Sequence, residues 1–350
     1  MIPIYEPHLR FSHKRAAIRQ ILSGWIGPGD ANSRFTALLG AMHDRYCTVT
    51  NSGTSALMLA YLALDLPAGS VICCPDYGLP ASHNAARLLG YSVQLVDVDV
   101  RTGCMNINEL EKLLNKGVYG AVVFVDHNGY TGEDLRRVRV LCTAQKIPLI
   151  EDSAVALGCE RAGRIGDLSI LSFSVPKIIT TGQGGAVMTS RRDLGDRLAE
   201  LVDQGGGGWR HSRIHNAVGG NFRMADVQAS LGVAQLNDLS YLLKRRHQLW
   251  DWYREGMEIA QDVQPSGWMM TTMGKNAVEA NRIIVEVNKV GFDCKRLYQP
   301  VHRNTPYRGD DASFPGSCEL YERLLYLPSS LNLSKKQVQV ITSAVKRGRT

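Results

Sequence analysis

The chain has 350 residues, 44% hydrophobic and 21% charged, with a mean hydropathy of −0.14. That composition excludes a disordered or fibrous protein, and the length exceeds what one hydrophobic core usually serves, so one large domain and one smaller domain are expected. Forty Lys and Arg against 33 Asp and Glu leave a net charge of +7, a balance that favours anionic partners. The basic residues are spread along the chain, and no helix-turn-helix, zinc-finger or RNA-binding signature accompanies them, so nucleic acid is not the expected partner. The N-terminus lacks a basic region followed by an apolar core, and no run of about 18 apolar residues occurs. Neither a secretory signal nor a membrane span is expected, and the expected location is the cytoplasm. The eight cysteines include no C-x-x-C pair. They read as small buried hydrophobes in a reducing compartment, and no metal is expected.

In chain order, apolar strand-like runs at 46–50, 70–74, 92–97, 120–125 and 147–151 alternate with amphipathic helical patterns at 55–64, 79–89, 107–115 and 134–145. The strands are rich in Val and Ile without strict alternation, as strands buried on both faces are. Strand–helix alternation at this spacing predicts an α/β domain with a mainly parallel sheet. Two further strands are expected at 169–174 and 185–189, joined by Thr180-Thr-Gly-Gln-Gly-Gly185. A polar loop rich in Arg and His follows Gly205, and one long helix is expected from Met224 to about Glu255, able to connect two domains. The C-terminal part carries helical patterns at 277–289 and 334–346, the latter with Ser334 as N-cap. The expected division is 1–240 for the large domain and 241–350 for the small one.

Three segments carry chemistry. Thr50-Asn-Ser-Gly-Thr-Ser-Ala56 follows a strand and opens a helix. Its small residues and free N–H groups suit an anion, with hydroxyls of Ser52, Thr54 and Ser55 as further donors; a plain Ser/Thr-capped turn satisfies the same pattern. It is neither a Walker A nor a dinucleotide fingerprint. Ile147-Pro-Leu-Ile-Glu-Asp152 ends an apolar run in two acids, which in an open α/β sheet face a ligand at the strand's carboxyl end or cap a helix. Leu171-Ser-Phe-Ser-Val-Pro-Lys177 places a lysine among apolar neighbours, where desolvation lowers its pKa and frees its amine for a Schiff base. A phosphate cradle, a strand-end carboxylate and a buried lysine, in that order, meet the needs of pyridoxal phosphate.

With those residues in view, the sequence resembles the DegT/DnrJ/EryC1/StrS-type sugar aminotransferases, which share the fold type I architecture of aspartate aminotransferase. The resemblance runs through Ile2-Pro-Ile, Ser23-Gly-Trp-Ile26, Ser52–Leu57, Leu95-Val-Asp-Val-Asp99, Ile150-Glu-Asp152, Ser172-Phe-Ser-Val-Pro-Lys177 with Thr181-Gly-Gln-Gly-Gly185, Gly220-Asn-Phe-Arg-Met224, Tyr298-Gln-Pro-Val-His302 and Tyr326-Leu-Pro-Ser329. It implies that Lys177 forms the Schiff base and shuttles the proton, that Asp152 pairs with the pyridinium nitrogen, and that Gly53, Thr54, Ser55 and Ser172 hold the phosphate. It implies that Asn221 reaches the cofactor phosphate of a partner subunit, so that the active unit is a homodimer. A lysine at 177 argues against the family's dehydratases, which carry histidine there.

Three positions depart from the family's pattern. Leu79 stands where an aromatic residue usually stacks on the ring, leaving Tyr77 or aliphatic contact to cover that face. Val155 replaces a polar residue near the ring's phenolic oxygen, and Asp126 replaces a histidine. By family position Trp25 and His302 are candidates for the substrate mouth, with a packed structural role the alternative for His302. Arg210 and Arg213, in a loop with two histidines, either hold an acceptor diphosphate or carboxylate or belong to a solvated basic loop. The expected activity is transfer of an amino group from glutamate or glutamine to a keto-sugar, nucleotide-linked by expectation. The alternative is a same-fold enzyme acting on a non-nucleotide ketone, or a weakly active regulatory member.

Overall fold

The computed structural model describes residues 1–130, 132–206, 214–260 and 268–350. Two helices, α1 (Phe11–Leu22) and α2 (Asp30–His43), precede the first strand. Then follow β1 (Tyr46–Thr50), α3 (Gly53–Leu64), β2 (Val71–Pro75), α4 (Ala81–Leu88), β3 (Ser92–Val96), α5 (Ile107–Leu114), β4 (Ala121–Val125), α6 (Glu133–Ala144), β5 (Leu149–Asp152), β6 (Leu168–Ser172), β7 (Gly185–Thr189) and α7 (Arg192–Leu201). The remainder holds α8 (Asp226–Asn237), α9 (Leu239–Gly256), β8 (Thr271–Met273), α10 (Ala277–Lys289), α11 (Pro315–Arg323), β9 (Leu324–Tyr326) and α12 (Lys335–Arg349).

Strands β1 to β7 form one sheet in the order β1-β7-β6-β5-β4-β2-β3. The run from β6 to β3 is parallel throughout; β7 is antiparallel to both its neighbours. The mainly parallel α/β architecture expected from the sequence is therefore observed. Both sheet faces are covered, which explains the unbroken apolar runs. Along β4, Ala121 and Val123 pack with Leu57, Tyr61 and Leu198 on one face, while Val122 and Phe124 pack with Leu110 and Val138 on the other. Cys73, Cys104 and Cys142 fill the second of these clusters as small hydrophobes, and burial pushes the Cys73 thiol up to about 12.

The C-terminal part builds its own core, in which Trp250 and Tyr253 of α9, Ile283 of α10 and Ile341 of α12 pack around Met270 and Leu325. Antiparallel β8 and β9 make a two-stranded sheet there. Ser334 caps α12 through a capping box with Gln337, as its sequence position suggests.

The single long helix expected from Met224 to Glu255 is instead two helices meeting at Asp238 (φ −97°, ψ 8°). Asn237 and Asp238 are poor helix interior residues because their side chains compete for backbone and neighbouring groups. Asp238 spends its carboxylate on the Arg10 guanidinium (2.9 Å) and the His13 ring (2.8 Å), tying α1 to the break. No helix among the described residues is long and apolar enough to cross a membrane.

Candidate active site

The carboxyl ends of β1, β4, β5 and β6 open on one cavity of about 310 Å³, lined by Gly53, Thr54, Leu79, Asp152, Val155, Ser172 and Lys177 together with His127, Gln183, Trp268, Tyr298 and Tyr326. In an open α/β sheet this edge is where ligands bind.

At one end lies the N-terminus of α3. Thr50 of β1 and Ser172 of β6 both pair in register with Gly185 of β7, which draws the two strand ends together. Gly185 permits this approach: a β-carbon there would stand 2.5 Å from the Ser52 carbonyl oxygen. Gly53 lies against Ser172 in the same way, its imagined β-carbon 3.1 Å from the Ser172 hydroxyl. Ser52 caps α3, its hydroxyl accepting the Ser55 N–H at 3.0 Å, and its carbonyl accepts from Ala56. The N–H groups of Gly53 and Thr54 are left outside the helix's own bonding, at the positive end of its dipole. Ser55 turns both its N–H and its hydroxyl to Ser52 and is not among the cavity-lining residues.

Across the cavity, β5 ends in two adjacent acids that the strand's alternation separates. Glu151 is fully buried and anchors the loop before β6, accepting from the N–H groups of Gly163 (2.6 Å), Ile165 (2.7 Å) and Gly166 (2.8 Å). Asp152 faces the cavity. Burial raises its pKa, opposed by the Ala154 N–H at 3.1 Å and by the charge of Lys177. Beside them Asp126 is fully buried and accepts the Ser153 hydroxyl at 2.5 Å through one oxygen. Burial, and then the charge of Glu151, push its pKa well above the usual carboxylate range.

Lys177 sits in the turn after β6, its N–H donating to the Ser174 carbonyl at 3.0 Å. Burial lowers its pKa to about 8, with Asp152 pulling the other way. Its Nζ lies over the Trp268 ring, 4.7 Å from the centroid. Leu79, 67% exposed, and Val155 line the cavity, whereas Tyr77 is buried behind it against His127 and Tyr298. His127 is held neutral, its pKa lowered by burial to about 4, with Nε2 3.2 Å from the Tyr326 hydroxyl.

Of the remaining expected site residues, Trp25, Asn221 and His302 lie outside the cavity lining. Trp25 is exposed, its indole N–H donating to Pro28. Asn221 bonds with Asn51 and Arg223 outside the cavity lining. His302 is fully buried and held on both ring nitrogens, by Asp76 at 2.6 Å and Asp311 at 2.8 Å, and it stacks on Phe314. Its geometry is that of a packed histidine. Arg210 and Arg213 lie outside the described residues. Among the lining residues, Trp268 and His127 escape the sequence reading. Neither stands in a periodic run, whereas Tyr298 and Tyr326 open motifs that the sequence does display.

The cavity's donor set suits pyridoxal phosphate: an anion cradle whose Gly53 a β-carbon would crowd, a buried carboxylate in need of a cationic partner, and a lysine whose amine burial has made available. Comparison with known proteins points the same way. The sequence model of the DegT/DnrJ/EryC1/StrS aminotransferase family matches residues 11–346. A GDP-perosamine synthase of Escherichia coli O157:H7 is 29% identical over 98% of this chain and 97% of its own. A UDP-4-amino-4,6-dideoxy-N-acetyl-beta-L-altrosamine transaminase of Campylobacter jejuni is 33% identical over 68% of this chain and 64% of its own. The crystal structure of an aminotransferase from Streptoalloteichus hindustanus superposes with a TM-score of 0.90 at 25% identity, covering 99% of this chain and 98% of that one.

Proposed function

The chain belongs to the DegT/DnrJ/EryC1/StrS aminotransferase family, and we propose that this pyridoxal-phosphate-dependent aminotransferase moves an amino group from glutamate or glutamine to a nucleotide-linked keto-sugar, with Lys177 as the lysine that carries the cofactor. The convergence of Lys177, Asp152 and the N-terminus of α3 on one cavity carries the reading. The nucleotide link rests on the nucleotide-sugar names of the relatives and accords with the surplus of basic residues.

The N–H groups of Gly53 and Thr54 and the Ser172 hydroxyl hold the phosphate. Leu79 and Val155 cover the ring with aliphatic contact. When bound, the cofactor supplies an electron sink for the bond broken at the substrate carbon. Asp152 would face the ring nitrogen and hold its proton; burial disfavours a lone carboxylate there, and a cation opposite it restores the ionised form. Lys177, near pH 8 both proton acceptor and donor, would move a proton between the substrate carbon and the cofactor carbon, away from the substrate carbon with the amino donor and toward it with the acceptor. Asn221 serves the cofactor phosphate of a partner subunit in a homodimer; its place outside its own chain's cavity lining supports that role.

For the proposed division into 1–240 and 241–350, α9 supports a junction within the helix, a few residues beyond 240. Its Leu239 and Leu242 pack with the core beside β1 and β7, while Leu249, Trp250 and Tyr253 belong to the C-terminal core.

Borohydride reduction of the holoenzyme followed by peptide mapping is expected to fix the cofactor on Lys177, and Lys177→Ala to abolish transamination. Fixation on another lysine, or transfer surviving in Lys177→Ala, removes the reading. Keto acceptors assayed with and without a nucleotide decide the substrate class. Turnover confined to free ketones would favour the alternative that Leu79 and Val155 suggest.

A further inference from the structure

Lys177 is gripped from outside its own sheet. The Trp268 indole Nε1–H donates to the Pro176 carbonyl at 2.6 Å. The Tyr5 hydroxyl donates to the Lys177 carbonyl at 2.5 Å. These two carbonyls belong to the peptide planes immediately before and after the Lys177 Cα, so both dihedrals of the lysine are held by aromatic donors from distant parts of the chain. The same Trp268 ring lies under Nζ, so one side chain fixes the lysine at its backbone and at its tip.

The two donors are not independent. The Trp268 carbonyl accepts from Nη1 of Arg246 at 2.6 Å, and the same nitrogen donates to the Ser329 carbonyl at 3.1 Å. Ser329 in turn donates its N–H to the Ile4 carbonyl at 2.6 Å, next to Tyr5, and its hydroxyl accepts the Met270 N–H at 2.8 Å. Arg246 is a buried guanidinium on α9, near the Tyr5 hydroxyl as well. From the sheet side, Asn128 sits in the left-handed region (φ 50°, ψ 23°) at the end of β4. Its side chain accepts from the Met269 N–H and donates to the Met269 carbonyl, both at 2.9 Å, and its own carbonyl accepts the Trp268 N–H at 3.1 Å. Three segments, 4–5, 268–270 and 329, thus form one hydrogen-bonded unit rooted on Arg246. Arg246 makes both of its bonds through Nη1, with Nε and Nη2 unpartnered among the described residues, so the stiffness of the unit comes from the amide, carbonyl and hydroxyl bonds that join the segments directly.

We propose that Tyr5 and Trp268 are positioning residues for the reaction, a paired clamp by which the N-terminal segment and the segment before β8 set the backbone and amine of Lys177 for proton transfer. The proposal rests on Lys177 as the cofactor-bearing lysine. A loosened lysine swings through more orientations, and a reaction that depends on near-attack geometry loses rate without losing substrate affinity. Neither side chain exchanges a proton with substrate.

Tyr5→Phe removes one hydroxyl, and Trp268→Phe keeps a ring face over the amine while removing the indole donor. Each is expected to lower kcat about fivefold, the worth of one hydrogen bond, with KM for donor and acceptor unchanged. The double variant is expected to lose less than the product of the two, because both donors hold one residue. The second readout does not depend on turnover. The full chain is loaded with pyridoxamine 5′-phosphate, which leaves the lysine amine free, and is pulse-labelled with acetic anhydride at fixed pH. Labelling at Lys177 is expected to rise several-fold in each variant, while exposed Lys244 labels at the native rate as an internal reference. Unchanged Lys177 labelling and unchanged kcat in both variants overturn the clamp. Should Trp268→Phe not fold, Tyr5→Phe decides alone. Failure of the underlying assignment is separately visible, as borohydride fixation at a lysine other than Lys177 in the native enzyme.

Discussion

Folding places the Lys177 ammonium over an indole and away from bulk water, and burial lowers its pKa from 10.5 to about 8. Between those two values the unfolded chain holds a proton that the folded chain has released, so stability rises with pH across the window. Below pH 8 the folded protein bears the full cost of burying the charge, and the cost fades as pH approaches 10.5. Across the window it amounts to something on the order of 3 kcal/mol. Lys177→Met keeps the length without the charge. Compared in urea titrations at matched pH, the cofactor-free variant is expected to exceed the native chain in stability by a margin widest below pH 8, narrowing by on the order of 3 kcal/mol toward pH 10.5. A margin independent of pH would mean that the amine is solvated in the folded state. The sequence displays this lysine because it ends an apolar run, and it displays Asp152 for the same reason. The strand end alone does not say which of Glu151 and Asp152 faces the ligand; the family resemblance points to Asp152, and the parity of β5 supplies the physical reason, placing Glu151 under three backbone N–H groups of the following loop. The sequence does not reveal Trp268, whose meeting with Lys177 is made by the tertiary fold alone.

Elements are readable where burial and periodicity agree. Strand β4 is apolar on both faces because both faces are covered, and α5 follows an Asn106 cap with Ile107, Leu110 and Leu114 on one buried stripe. Helix α1 is not readable in this way. Its buried residue is His13, while Phe11, Ile18, Ile21 and Leu22 are exposed, so its apolar residues do not mark a core face. Helix α8 shows how packing overrides propensity. Gly232 lies in mid-helix, where alanine would normally stabilise by about 1 kcal/mol. Here its β-carbon would stand 2.7 to 3.0 Å from the ring of Phe35 on α2, which is fully buried. Overpacking of this kind costs roughly 1–3 kcal/mol, so Gly232→Ala is expected to destabilise the protein by about 1–2 kcal/mol in denaturant unfolding. Phe35→Leu in the Gly232→Ala background relieves the crowding and is expected to cost less than the two single changes added together. A Gly232→Ala variant more stable than the native chain would show that α2 and α8 are not packed at this distance.

At the scale of the whole molecule, the exposed face of α1 and the proposed role of Asn221 ask for the same thing. Phe11, Ile18 and Leu22 are spaced by seven and four residues and so share one side of the helix, at 79%, 53% and 80% exposure. An apolar stripe of this kind on a folded surface marks an interaction site, and the occupant proposed here is a second copy of the chain. If each subunit lends Asn221 to its partner's cofactor phosphate, loss of the dimer must also cost cofactor affinity. The native protein is therefore expected to sediment at about twice the chain mass of 38.6 kDa. Ile18→Asp with Leu22→Asp places two charges at the centre of the stripe, where like charges from both copies would meet without compensation. That variant is expected to sediment as a single chain, to retain its secondary structure, and to bind pyridoxal phosphate at least tenfold more weakly, read from cofactor absorbance in equilibrium dialysis. Asn221→Ala is expected to weaken the cofactor while leaving the dimer intact, which separates the phosphate contact from the assembly. A native chain that sediments as a monomer at micromolar concentration removes the dimer, and a monomeric Ile18→Asp, Leu22→Asp variant with native cofactor affinity removes the shared site.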